Sequence, residues 1–228
     1  MALGCFIIDK LAHGRYGMNV PCCRNAAFLA LVVLVHAAYA QTTSVPEITS
    51  FRSPDGGFHF SYPVNFRVCT KGDMQPCNDH TYIPICAKDS LVCVVSPRGE
   101  FQGTTFEASG FQVRDILRDS VPPTSADECV TPEGKAWDAF LISAQHPVEV
   151  IGGISFIHGS FGEEVMGNIE DMQVYRAFHN GRCFELSVTE DESNPANFDS
   201  PPKTLTPAES KEIEQTMSKI LESFRFTN

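Results

Sequence analysis

Asn180-Gly181 is the dipeptide that most constrains what this chain can fold into. It sits within "IEDMQVYRAFHNGRCFELSV", between two runs in which apolar and polar residues alternate. Asn and Gly both tolerate the positive φ of a two-residue type I′ turn, so the pair predicts a β-hairpin and sets its register. His179 then pairs with Arg182, Phe178 with Cys183, Ala177 with Phe184, Arg176 with Glu185 and Tyr175 with Leu186. Side chains across a pair share a face, and successive pairs alternate. One face gathers Tyr175, Ala177, Phe184, Leu186 and Val188. The other carries Arg176, Phe178, Cys183 and Glu185, with Arg176 and Glu185 as an opposite-charge pair. The same register separates His179 from Cys183. A cysteine nucleophile needs a base within hydrogen-bond reach, so these two cannot act as a dyad.

The start of the chain predicts export. Arg24 precedes an apolar run from Ala26 to Val35, which is too short for a membrane span, and Ala38-Tyr39-Ala40 is a small-x-small cleavage site. Residues 1–40 read as a signal peptide, with Met18 as the expected true start. Residues 41–47 read as a flexible leader, and 48–228 as one domain. The full chain carries 17 basic and 28 acidic residues. Removing Lys10, Arg15, Arg24 and Asp9 leaves 14 against 27, a formal charge of −13. Such a surface disfavours nucleic acid and anionic lipid. The expected location is the periplasm or the medium.

Six cysteines follow the leader: Cys69, Cys77, Cys86, Cys93, Cys129 and Cys183. In an exported chain an even count predicts disulfides, and no C-x-x-C spacing supports zinc. Six cysteines allow fifteen pairings. "TYIPICAKDSLVCVVS" reads as a hairpin turning at Ala87 to Ser90, which places Cys86 and Cys93 on a diagonal roughly 7–8 Å apart, too far for an easy bridge. The preferred set is therefore Cys69–Cys93, Cys77–Cys86 and Cys129–Cys183.

Further elements follow from local pattern. "ITSFRSPDGGFHFSYP" predicts a hairpin with Phe58, Phe60 and Tyr62 inward and His59 outward. Residues 65–82 read as irregular. Strands are expected at Leu91–Ser96, along "TTFEASGFQVRDI", at Trp137–Ser143, and on both sides of Gly152-Gly153. A short helix carries Cys129. "EDESNPANFDSPPK" reads as a solvated acidic loop. Near the end, Thr206, Pro207 and Glu209 open a capped helix with an apolar stripe at Ile213, Met217, Ile220, Leu221 and Phe224.

No residues stand out as catalytic or cofactor-binding. "GGISFIHGS" lacks the G-x-S-x-G of a nucleophile elbow and the Lys-Ser/Thr of a phosphate loop. The acids Glu190, Asp191, Glu192 and Asp199 miss the EF-hand spacing. Glu163-Glu164 and Glu170-Asp171 read as exposed strand-end acids. Of the histidines His59, His80, His146, His158 and His179, only His158 and His179 are candidate metal ligands, because both lie near strand ends. Surface placement is the default for all five.

Three stretches carry a family resemblance: "SPDGGFHFSYPVNFRV", "NGRCFELSV" and "PAESKEIEQTMSKILESFRF". Together they resemble the PsbP and Mog type of α/β/α sandwich, and especially small exported bacterial proteins of that type. The resemblance implies an α+β fold, an antiparallel sheet flanked by helices. Members bind protein partners, PsbP in the photosystem lumen and Mog on a small GTPase, and no catalytic set is implied. The six cysteines depart from the intracellular members, so their partners do not transfer. The expected function is an exported, non-enzymatic binding or accessory domain. The alternatives are an exported hydrolase-type enzyme, in which histidine, carboxylate and hydroxyl converge in a cavity, and a metal-binding protein.

Overall fold

Asn180 takes φ 50° and Gly181 φ 76°, and the strands they join are each twelve residues long. The computed structural model describes residues 46–55, 57–79, 84–97, 99, 101–117, 123–130, 147–165 and 167–227. The expected leader at 1–40, most of segment 41–47, the expected strand Trp137–Ser143, and both His80 and His146 lie outside the described residues.

Among the described residues the strands are β1 (Ile48–Arg52), β2 (Phe58–Pro63), β3 (Arg67–Thr70), β4 (Val92–Val95), β5 (Phe106–Asp115), β6 (Val148–Ile151), β7 (Ile154–Val165), β8 (Asn168–His179), β9 (Arg182–Ser193) and β10 (Arg225–Phe226). The helices are α1 (Gln75–Asn78), α2 (Ala126–Val130) and α3 (Pro207–Ser223). A small sheet runs in the order β1-β2-β10, and a seven-stranded sheet in the order β3-β4-β5-β9-β8-β7-β6. Every strand pairing within them is antiparallel. The fold is α+β, as the resemblance implied.

One face of the large sheet is closed by α3 and the small sheet. Thr206 and Glu209 form the reciprocal capping box, and Ile213, Met217, Ile220 and Leu221 are buried along one stripe. Burying one apolar stripe is what holds an amphipathic helix to a sheet. Phe58 and Phe60 of β2 point into the same core, stacking on Phe224 at 5.5 Å and meeting Phe111 edge-on at 4.9 Å. The opposite face carries a second cluster, in which Met74, Ile85, Val95 and Ala108 pack around four of the half-cystines.

The bridges correct the expected pairing. The structure joins Cys69 to Cys77, Cys86 to Cys93, and Cys129 to Cys183. Cys69 does lie directly opposite Cys93 on the β3–β4 ladder, but each turns to another partner. Residues 84–90 form no strand, so the hairpin that disfavoured Cys86–Cys93 does not exist. Instead Asn78 clamps the Cys86 backbone. The Cys86 N–H donates to Asn78 Oδ1, and Asn78 Nδ2 donates to the Cys86 carbonyl, both at 2.8 Å. That places the Cα atoms of Cys86 and Cys93 5.8 Å apart, within normal bridging range. Cys69 is left to reach Cys77 on α1.

Two other readings also change. Residues 65–82 are not wholly irregular, since β3 and α1 lie within them; both are four residues long and too short to show a period. The acidic run after Thr189 is not a loop at its start, because β9 continues to Ser193 between β5 and β8.

Gly152 and Gly153 join β6 to β7 with φ 61° and 84°. A Cβ at Gly152 would lie 2.5 Å from the Phe224 carbonyl oxygen, whereas one at Gly153 meets nothing within 4 Å. Gly152→Ala is therefore expected to cost about 3 kcal/mol of stability and Gly153→Ala about 1 kcal/mol. Denaturant midpoints check the difference, and equal costs would refute the close approach. Non-reducing peptide mapping should recover the three bridges above, with no Cys69–Cys93 or Cys77–Cys86 peptide.

Candidate functional site

The hairpin end that holds His179 is scaffold. Arg182 donates to Asp115 from Nε at 3.1 Å and from its terminal nitrogen at 2.7 Å, and to Asp55 at 2.9 Å. This ties the β1–β2 turn to the large sheet. Hydrogen bonds from Ser53, the Gly57 N–H and Arg182 lower the Asp55 carboxyl to about 2. Cys183 is bridged to Cys129, and the β8–β9 register puts His179 and Cys183 on opposite faces. His179 is not solvated as expected. Its ring stacks on Phe226 at 4.0 Å, its Nε2 is buried without a partner, and burial lowers its pKa.

His158, on β7, is also packed. It lies face to face with Tyr175 of β8 at 4.4 Å. Its Nδ1 faces Glu149 Oε1 at 2.6 Å, and its Nε2 faces Gln173 Oε1 at 2.8 Å. Gln173 Nε2 in turn donates to Asp171 Oδ1 at 3.3 Å. A chain Glu149–His158–Gln173–Asp171 thus crosses three strands on the helix-bearing face. Both ring nitrogens are thus engaged by neighbouring side chains. His158 and His179 are four residues apart in strand register, roughly 13 Å, and the structure does not bring them together. Among the described residues no three His, Cys, Asp or Glu side chains are gathered so as to hold a metal ion.

What the structure does bring together is a set of carboxylates beside α3. Extending the register past Tyr175 places Asp171 directly opposite Glu190 on the helix-bearing face. Glu214 projects from α3 above them. With Gln173, Tyr175, Val188, Met217 and Leu221 they border a recess of about 490 Å³. A second recess of about 580 Å³ lies beside it, bordered by Glu149, Glu222 and Arg225 and by the β6–β7 turn. Tyr175, Ser218 and Leu221 border both, so the two form one groove along the helix. Burial raises the Glu190 carboxyl to about 7, with repulsion from Asp171, Glu192 and Glu214 acting in the same direction. Burial, and then the charge of Glu149, raises the Tyr175 phenol to about 12.

The other face has its own acid pair. Glu170 sits opposite Asp191, and both are buried, Asp191 completely at 0% exposure. The expectation of exposed strand-end acids therefore fails for Glu170. Burial raises Asp191 to about 7, helped by Glu107 and Glu170. None of the groove carboxylates was identified from sequence as a site. The signal was present, because counting the Asn180-Gly181 register onward aligns Asp171 with Glu190. The acidic, proline-bearing text after Thr189 suggested a loop instead.

No protein-family model matches the chain, and no curated protein matches it in sequence. Solved structures do show likeness. A Bacteroides thetaiotaomicron protein gives a TM-score of 0.41 at 11% identity, covering 78% of this chain and 48% of its own; the chain thus spans about half that protein's length. The PsbP of Synechocystis gives 0.42 at 7% identity, covering 82% of this chain and 96% of its own. The Ran-binding protein Mog1p of Saccharomyces cerevisiae gives 0.40 at 10% identity, covering 79% and 96%. The neighbours thus include a PsbP and a Mog1p, and at these identities the likeness concerns fold alone. Among the described residues no helix is long and apolar enough to cross a membrane.

The raised Glu190 carboxyl has a testable sign. The folded protein holds that proton more tightly than the unfolded chain between the ordinary 4.5 and about 7. Its contribution to stability is therefore present on the acid side and lost as pH rises through about 7. Glu190→Gln should match the parent below pH 4.5 and exceed it above pH 7, by on the order of 1 kcal/mol. Urea unfolding across pH measures this, and a variant less stable at alkaline pH would refute the crowding.

Proposed function

We propose that the protein is an exported, non-enzymatic binding domain of the periplasm or medium, and that the groove beside α3 is its docking site. The observation that carries this reading is the groove itself, a concave surface with an apolar floor and a carboxylate rim. Ligand sites are concave and combine apolar surface with placed polar groups. The three disulfides fit an oxidising compartment. The surplus of acidic residues argues against nucleic acid as the occupant.

The hydrolase alternative has one observation in its favour, since His158, Glu149 and the Tyr175 hydroxyl group stand close to one another. The geometry does not favour proton transfer among them. Both imidazole nitrogens are already engaged in the ring plane by Glu149 and Gln173, and Tyr175 lies against the ring face. A general base must point a nitrogen at the proton it removes.

A photo-crosslinking residue in place of Ser218, which borders both recesses, tests the reading in the source cell. A discrete adduct in the extracytoplasmic fraction, absent when the same residue replaces exposed Glu47, is the expected result. Adduct formation equal at both positions, or protein retained in the cytoplasm, would overturn it.

A further inference from the structure

We propose that the disulfide-bearing face of β9 binds a file of structural water, with one molecule between the Ser187 and Thr189 hydroxyls and another between Thr189 and the Asp191 carboxyl. The site lies across the sheet from the groove and stands independently of it.

Ser187, Thr189 and Asp191 alternate along β9, so their side chains leave the sheet on one face, the face of Cys183. They are 1%, 1% and 0% exposed. Ser187 Oγ, Thr189 Oγ1 and Asp191 Oδ1 are buried and have no hydrogen-bond partner. Buried side-chain oxygens in native proteins are mostly bonded, to protein or to ordered water. Three bare oxygens in one row therefore point to a bound group.

The neighbouring side chains do not supply the bonds. Gln112 stands opposite Ser187 on β5, but its Oε1 already accepts from the Ala87 N–H at 2.9 Å and from Ser90 Oγ at 2.5 Å. Gly110 and Ala108 stand opposite Thr189 and Asp191 on the same strand and bring no polar side chain. On β8 Ser187 faces Val174, and Thr189 faces Met172, whose sulfur accepts only weakly. Nor do the three oxygens reach one another. Alternate residues on an antiparallel strand are roughly 6.8 Å apart, more than twice an O–H···O distance of about 2.8 Å. A single water joins oxygens about 5.6 Å apart, and a small lean of the side chains closes the rest.

The chemistry selects water. An ionised carboxylate only accepts, while a hydroxyl both donates and accepts, so the bound group must do both. Burial excludes anything larger, and Ile85 Cγ2 fills the space that a Gly110 Cβ would need, which closes the β5 flank. A metal ion would need ligands gathered around one point, and among the described residues no three His, Cys, Asp or Glu side chains are so gathered. Water-mediated bonds are nearly as favourable as direct ones. The file thus gives the sealed Asp191 carboxyl the hydrogen bond that its Oδ1 otherwise lacks.

Water-deuteron magnetic relaxation dispersion counts long-lived internal waters, and urea unfolding measures their worth. The full chain with its disulfides formed is compared with Thr189→Val, Thr189→Ser and Ser187→Ala. The expected result is that Thr189→Val lowers the dispersion amplitude by the share of one or both waters and unfolds at a lower urea midpoint. Thr189→Ser should keep the parent's amplitude, and Ser187→Ala should lose the share of one water. A dry row predicts the opposite stability change, because replacing an unpaired buried hydroxyl by a methyl group removes a desolvation penalty. The proposal is overturned if Thr189→Val keeps the parent's amplitude, or if it is as stable as the parent or more so. Should Thr189→Val fail to fold, Ser187→Ala decides alone, and an unchanged amplitude there overturns the proposal.

Discussion

The pairing of β8 with β9 is the constraint on which the rest depends. It begins at Asn180-Gly181 and runs without a break for twelve pairs, to Asn168 opposite Ser193. Because side chains alternate, one register decides every facing on both strands. It turns Tyr175, Ala177, Phe184 and Leu186 toward α3 and the aromatic core. It sends Cys183 to the other face, where Cys129 meets it, and sets buried Arg176 against Glu185 at 2.8 Å. At its far end it brings Asp171 to Glu190 on one face and Glu170 to Asp191 on the other. A slip of one residue would exchange the two faces of both strands and dissolve the groove.

Much of this was legible because local chemistry and tertiary structure agree. The five pairs nearest the turn, the inward Phe58 and Phe60, the Gly152-Gly153 turn and the capped last helix all follow from turn chemistry and periodicity. The failures have physical causes. Glu190 to Ser193 carry loop composition, but β9 is a central strand, and the unmet backbone groups of β5 and β8 on either side hold it extended. Cys86 reaches Cys93 because two hydrogen bonds from Asn78 set the path of a loop that has no period to read. His158 and His179 looked like surface histidines. Each is covered by an aromatic ring, Tyr175 or Phe226, whose approach depends on contacts far apart in sequence.

The acids divide the large sheet into two regimes. On the disulfide-bearing face Asp191 is sealed and the Glu170–Asp191 pair serves no opening. On the helix-bearing face the Asp171–Glu190 pair opens into a recess that Glu214 also borders. Like charges opposed across a ladder weaken a sheet, and proteins keep such local violations mostly where function requires them. The open pair meets that description, since it combines access with an apolar floor. The Glu149–His158–Gln173–Asp171 chain braces the neighbouring wall, so the carboxylates are presented from rigid strands.

The central claim is that Glu190 sits in an uncompensated acidic recess. The most direct measurement is the titration of its side-chain carboxyl carbon by NMR, in the free protein. A midpoint near 7 is the result this structure requires. A midpoint at the ordinary 4.5 would mean that the carboxylate is well solvated or already neutralised, and would contradict the crowding of acids beside α3.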